Sequence, residues 1–471
     1  MTSVNVRLKD EESSTLIENN KKKHLKVTEI TYKNNTESNY TEKIEELDKS
    51  FNYSANSNHY WSAPELSIFY GTPLYAEASH TQKIALNHLY WVTQYSQIAA
   101  SEANTILYND VTNGVFFAVG GYEMLCKELN LESNQEKSHI HAFHTISYKT
   151  KKALLGKAAL TTPVELNQSQ ALENNSQENA ASKALQKLLG YKPLSSTTLA
   201  LEDAALRLLK NIRLKSKADC YSPYLHELEK KDLFLPGPRT GILRVFPRYL
   251  LRLFTLSWGS SSFLASQYYC FRYIANMLLK TAEYEYTRHY RDLEKTGEFI
   301  PTPTEVSRYH LLDESYHTTM SKLIAQDVYK DFAKPTAYER YMGNLSVQVT
   351  QSRLLGGLSG GLPAIFQDDS WFTLSYYKLL RSPIFNMSHE ETLHWLEKCL
   401  CHEHEGFHVN LKYHHRLLTD LRYFFGEFDY MWPVNREMSL MAEGGSLEKA
   451  IQRNIESFRD FSKSFTKGAI K

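Results

Sequence analysis

Two stretches of the chain carry the same order of residues, and that order limits the fold more than any other feature. In each, a glutamate on an apolar helical stripe is followed by a Glu-x-x-His pair: Glu102 then Glu136 and His139, and Glu283 then Glu314 and His317. The first stripe is explicit. Ile84, His88, Trp91, Tyr95, Ile98, Glu102 and Ile106 recur at steps of three or four, as on the inward face of a bundle helix. An ionised carboxylate on such a face is costly unless it is paired, protonated or bound to metal. Side chains three apart share a helix face, so each Glu-x-x-His pair can converge on one ion. His310 precedes Glu314 by one helical turn and joins the same side. On the apolar helix that carries Glu283, Glu285 competes with it for the fourth carboxylate place.

A Glu and a Glu-x-x-His, given twice, is the ligand layout of a dinuclear carboxylate centre inside four helices. The expected fold is all-α: a ferritin-like four-helix bundle with additional N- and C-terminal helices. Carboxylates suit iron or manganese, and imidazole completes the shell while leaving positions open for dioxygen. Blander readings exist for single members. Glu136 could be the third residue of a capping box opened by Ser133, and His310 could be a hydrogen-bonded core histidine. Thr302-Pro303-Thr304-Glu305 reads as a capping box with Pro at the first helical position, opening a helix that runs to about Val328.

Composition sets the class. Hydrophobic residues make up 42% and charged residues 23%, enough for a sizeable core. Lys plus Arg is 54 against 53 for Asp plus Glu, without the basic excess of a nucleic-acid protein. Five cysteines are scattered with no Cys-x-x-Cys pair, as in a reduced, cytoplasmic protein. The longest uncharged stretch, between Arg252 and Arg272, is broken by Ser257, Gly259, Ser260, Ser261, Ser262, Ser266 and Gln267. It reads as a buried helix and its approach, not a membrane span. Residues 1–55 are charged and Asn-rich without the apolar segment of a signal peptide, and are expected to be a poorly ordered leader. Residues 56–471 are expected to form one helical domain, with a low-complexity insertion at about 160–185.

Three other motifs compete for attention. His404-Glu405-Gly406-Phe407-His408 matches the zinc-peptidase pattern, with Glu427 downstream as a third ligand. Gly406 is poor helix material, however, and no edge strand precedes the motif. Gly356-Gly357-Leu358-Ser359-Gly360-Gly361 lacks the Gly-Lys-Ser/Thr ending of a phosphate loop and reads as a connection. Arg244, Arg248 and Arg252 recur every fourth residue. They are either a solvated face or a docking patch for an acidic acyl carrier protein.

At its Glu and His motifs the chain resembles the p-aminobenzoate N-oxygenase (AurF-like) di-iron family. The specific feature is His310-x-x-x-Glu314-x-x-His317, since ordinary ferritin-like oxidases have only two histidines at the site. The resemblance covers about residues 60 to 350, interrupted by the insertion, and includes the opening Phe69-Tyr70-Gly71-Thr72-Pro73-Leu74-Tyr75. It implies seven metal ligands, Glu102, Glu136, His139, Glu283, His310, Glu314 and His317, and so selects Glu283 over Glu285. Gln135 stands where the family has Asp, whereas Asp313 keeps that place in the second half. Such a residue orients a ligand histidine. In its length the chain is similar to the dimetal-carboxylate halogenases (CylC-like), which chlorinate unactivated carbons of fatty acyl chains in natural-product assembly. The resemblance implies two iron ions, or an iron–manganese pair, with dioxygen, a halide and an electron donor, acting on a fatty acyl substrate held by an acyl carrier protein. The alternatives are N-oxygenation of an amine to a hydroxylamine or nitro group, a zinc peptidase, and a non-enzymatic ferritin-like metal-binding protein.

Overall fold

A computed structural model describes residues 22–67, 69–156, 261–355 and 370–466. The described residues are helical throughout, without a strand. Four long helices form the centre: α3 (His80–Val119), α4 (Glu123–Leu155), α5 (Ser262–Thr296) and α6 (Thr302–Gln326). They are preceded by α1 (Lys23–Glu37) and α2 (Thr41–Ser50) and followed by α7 (Ala337–Leu354), α8 (Ser370–Arg381), α9 (His389–Leu400), α10 (Glu405–Gly426) and α11 (Leu447–Thr466). This is the expected all-α, ferritin-like arrangement with extra helices at both ends.

Short connections make α3 and α4, and α5 and α6, two antiparallel hairpins. The pairs then close on each other through α3 with α5 and α4 with α6. Helix α3 opens on a reciprocal capping box between Ser79 and Gln82 and stops at Gly120, whose φ is 80°. Helix α6 departs from the sequence expectation at its start. Its N-cap is Pro301, Thr302 already lies inside the helix, and no side chain of the segment caps it. Instead the Thr302 amide donates to Asn56 Oδ1 at 2.8 Å, and the Thr304 hydroxyl donates to the Trp61 carbonyl at 2.8 Å. The last residue of a short helix far away in the chain, Tyr53–Asn56, supplies the cap.

The core falls into two apolar clusters along the bundle axis. One gathers Trp91, Tyr95, Phe143, Ile146 and Val306, the other Val115, Leu129, Tyr269, Ile274 and Ile324. On every central helix the expected site residues fall between the two. A buried polar layer thus crosses the middle of the bundle.

The N-terminal leader expectation is overturned from residue 23 onward. Helices α1 and α2 pack against α4 and α6, burying Thr28, Thr31, Asn35, Ile44 and Leu47. The signal was weak because α1 buries polar side chains, so it lacks the apolar stripe by which a packed helix is read. Residues 1–21, the insertion at about 160–185, the arginines Arg244, Arg248 and Arg252, and the Gly356–Gly361 segment lie outside the described residues. Within them, no helix is long and apolar enough to cross a membrane.

Candidate metal centre

Each central helix brings its marked residues to the same level. Glu102 of α3, Glu136 and His139 of α4, and His310 and Glu314 of α6 can each offer one ligand atom, all within 4.8 Å of one another. All five are buried. Glu283 of α5 and His317 of α6 lie outside this five-residue group but border it, Glu283 against His310 and His317 against Glu136 and Glu314. His310 lies between two carboxylates, with Nδ1 2.5 Å from Glu283 and Nε2 2.6 Å from Glu102. His317 places Nδ1 2.8 Å from Glu314 and 3.4 Å from Glu136. The competition between Glu283 and Glu285 resolves by direction. Glu283 also accepts from the Tyr95 hydroxyl at 2.8 Å, whereas Glu285 pairs with the exposed Arg288 at 2.9 Å.

The residues before the two Glu-x-x-His glutamates act crosswise. Asp313 of α6 meets Nε2 of His139 at 3.1 Å, and Gln135 of α4 meets Nε2 of His317 at 2.9 Å. Each hairpin therefore orients the other's histidine and leaves Nδ1 facing the carboxylates. Such outer partners fix the tautomer and ring direction of ligand histidines. Because the Gln135 oxygen must accept from His317, its amide nitrogen is directed away, donating to Asn35 Oδ1 at 2.8 Å. Asp313 in turn accepts from the Tyr40 amide at 3.3 Å. The N-terminal segment is thus part of the site's support.

Beneath Glu136 lies a network that the sequence reading missed. Arg272 of α5, fully buried, donates to Glu132 at 2.6 Å, to Glu136 at 3.0 Å and to Asn109 Oδ1 at 2.8 Å. One signal was available: Glu132 precedes Glu136 by one helical turn, so the two carboxylates share a face and require a cation. The alternative in which Ser133 opens a helix at Glu136 does not occur. Both lie in the middle of α4, and the Ser133 hydroxyl donates back to Leu129.

Electrostatics follow from this packing. Burial opposes charge on Glu136, but His317, His139 and Arg272 hold its carboxyl well below the usual range. Burial pushes Glu102 up to about 7 against the pull of His310. His139, although penalised by burial and by His310, is raised to about 9 by Asp313 and Glu136. Buried carboxylate oxygens Glu102 Oε2 and Glu283 Oε2 have no hydrogen-bond partner, an expensive state in a low-dielectric interior. The donor set fits metal: unpartnered carboxylate oxygens and oriented imidazole nitrogens at one point. A cation would have to displace protons from the histidines. Uptake should therefore release protons and tighten as pH rises toward 9. Titration calorimetry with ferrous or manganous ion in buffers of different ionisation enthalpy checks this.

The zinc-peptidase pattern does not assemble. His404 is the N-cap of α10, its Nδ1 accepting from the Gly406 amide at 3.2 Å and its Nε2 donating to the Cys399 carbonyl at 2.7 Å. His408 instead meets the exposed Glu403 at 2.8 Å. Glu427 caps the far end of this 22-residue helix, roughly 30 Å away at 1.5 Å per residue. Glu405→Gln is accordingly expected to leave metal content and turnover unchanged, measured by elemental analysis and product formation.

A comparison with known families adds the class. The family model for acyl halogenase CylC-like proteins matches residues 23–462. No curated protein and no solved structure matches the chain. The matched span runs from the start of α1 into α11, including the N-terminal helices that support the histidines. The chain belongs to the CylC-like acyl halogenase family, a family of enzymes.

Proposed function

We propose that the chain is a dioxygen-dependent dimetal oxidase that halogenates an unactivated carbon of a fatty acyl substrate in natural-product biosynthesis. The observation that carries this reading is the convergence of Glu102, Glu136, His139, His310 and Glu314, bordered by the buried Glu283 and His317, in a chain belonging to a halogenase family. Glu102, Glu136, Glu283 and Glu314 would hold the ions through carboxylate oxygens, and His139, His310 and His317 would supply nitrogen. Two iron ions, or an iron–manganese pair, held there would supply dioxygen activation and oxidising power.

The chain's own residues do the rest. Asp313 and Gln135 hold His139 and His317 by their outer nitrogens. Arg272 holds Glu136 in its charged form. The Phe143 ring, 4.9 Å from His310, and Tyr95 wall the layer on one side and exclude water. A fatty acyl chain needs an apolar path to this depth, and an acyl carrier protein is the proposed carrier. Arg244, Arg248 and Arg252 are its proposed docking residues. An external electron donor is the remaining partner.

The test is an assay with ferrous ion, dioxygen, a reductant, chloride and fatty acyl thioesters, read by mass spectrometry. The expected product carries the chlorine isotope pattern and vanishes without chloride. An oxygenated product that forms equally without halide would overturn halogenation in favour of an oxygenase, and an amine substrate would then test N-oxygenation.

A further inference from the structure

The first apolar stripe does more than pack. Beyond the carboxylate layer its Tyr95 and Trp91 continue outward, through Trp61 and Tyr53 of the preceding segment, as a chain of contacting rings. Tyr95 lies with its ring 6.3 Å from His310 and its hydroxyl on Glu283. Trp91 stacks on Tyr95 at 4.2 Å, Trp61 meets Trp91 edge-on at 5.7 Å, and Tyr53 meets Trp61 at 6.1 Å. The inner three rings are fully buried, and Tyr53 is half-buried at the surface. The outer end also holds a proton acceptor. His88 Nε2 donates to the His59 carbonyl at 2.8 Å, so its bare Nδ1 accepts from the Tyr53 hydroxyl at 3.1 Å. Burial lowers the His88 pKa to about 3, so the ring is neutral at rest, and its Nδ1 lone pair faces the Tyr53 hydroxyl.

We propose that Tyr53, Trp61, Trp91 and Tyr95 form the route by which electrons from an external donor reach the metal centre, with His88 taking and returning the Tyr53 proton. Electron tunnelling falls off exponentially with distance, and indole and phenol rings in contact divide a long transfer into short hops. One electron leaves Tyr53 through Trp61, Trp91 and Tyr95 to the oxidised centre as the phenol proton moves to Nδ1 of His88. The phenoxyl then accepts one electron from the external one-electron reductant, and His88 returns the proton. The four rings are unchanged overall. A wholly structural aromatic core would pack in the same way but carry no charge.

The route rests on the proposed oxidase, yet it can be tested with no metal present. A ruthenium polypyridyl photo-oxidant is attached to Asn58→Cys, an exposed position five residues after Tyr53 in the chain, in the full chain with Cys220→Ser. Four of the native cysteines, Cys126, Cys270, Cys399 and Cys401, are buried. After flash oxidation, peptide mass spectrometry locates the oxidised side chains. Oxidation is expected at the buried Trp91 and Tyr95 and should be lost in Trp61→Phe. Tyr53→Phe, with its milder packing change, should remove oxidation at position 53 and reduce that at Trp91, because Tyr53 is the outermost ring of the route. Oxidation of Trp91 that is absent in the parent chain, or unchanged in Trp61→Phe, overturns the route. Iron content and dioxygen uptake, measured separately, decide the oxidase reading, so the two failures are distinguishable.

Discussion

Glu314→Ala is expected to lose at least one of two bound metal ions. Glu314 stands at the centre of the layer, 2.8 Å from Nδ1 of His317 and 3.8 Å from Nε2 of His310. Its carboxylate is one of the five side chains whose ligand atoms lie within 4.8 Å of one another and would hold metal there; in two-metal sites the ions are typically about 3.5–4 Å apart. The folded chain should survive the change, because His317 keeps Glu136 at 3.4 Å and removing one of several crowded carboxylates relieves repulsion. Metal per chain after anaerobic loading is the measurement, with thermal unfolding of the metal-free protein as the companion. Glu285→Ala is the matched control, since that carboxylate faces Arg288. Unchanged metal content in Glu314→Ala would remove the ligand assignment.

Arg272→Met is expected to give the largest loss of stability. The guanidinium is buried with Glu132, Glu136 and Asn109 around it. Removing one member of a buried charge pair leaves its partners uncompensated and costs about 3–5 kcal/mol. Against a total stability of about 5–15 kcal/mol for a typical protein, that is a large fraction. Chemical denaturation of the metal-free chain should show it as a lowered midpoint. Arg272→Met combined with Glu132→Leu should recover part of the loss, because the second change removes one stranded carboxylate. A double variant no more stable than the single one would mean that Arg272 acts only through Glu136. A single variant as stable as the parent would refute the buried pair altogether.

The site was legible because helical spacing is local. Residues three and four apart share a face whatever surrounds the helix, so Glu136 with His139, and His310 with Glu314 and His317, could be grouped before any tertiary contact was known. The same logic failed where local spacing was satisfied but the backbone was not helical. His404 and His408 have the separation of a metal pair, yet His404 caps its helix from outside and spends both nitrogens on backbone. Helix α6 shows the converse: its own sequence offered a capping box, but Asn56, far away in the chain, took the capping role.

By itself, the sequence determined the all-α class and, through periodicity and the cost of burying an isolated carboxylate, most of the residues that meet in the polar layer, whereas the choice of Glu283 over Glu285 came from the family resemblance. Only the tertiary structure decided that Asp313 serves His139 and Gln135 serves His317, that Asn35 of an apparent leader steadies Gln135, and that Arg272 neutralises Glu132 and Glu136. Those choices join residues from different helices. Their energies depend on how close, how buried and how well aligned the partners become, and the spacing of residues along one helix carries none of that.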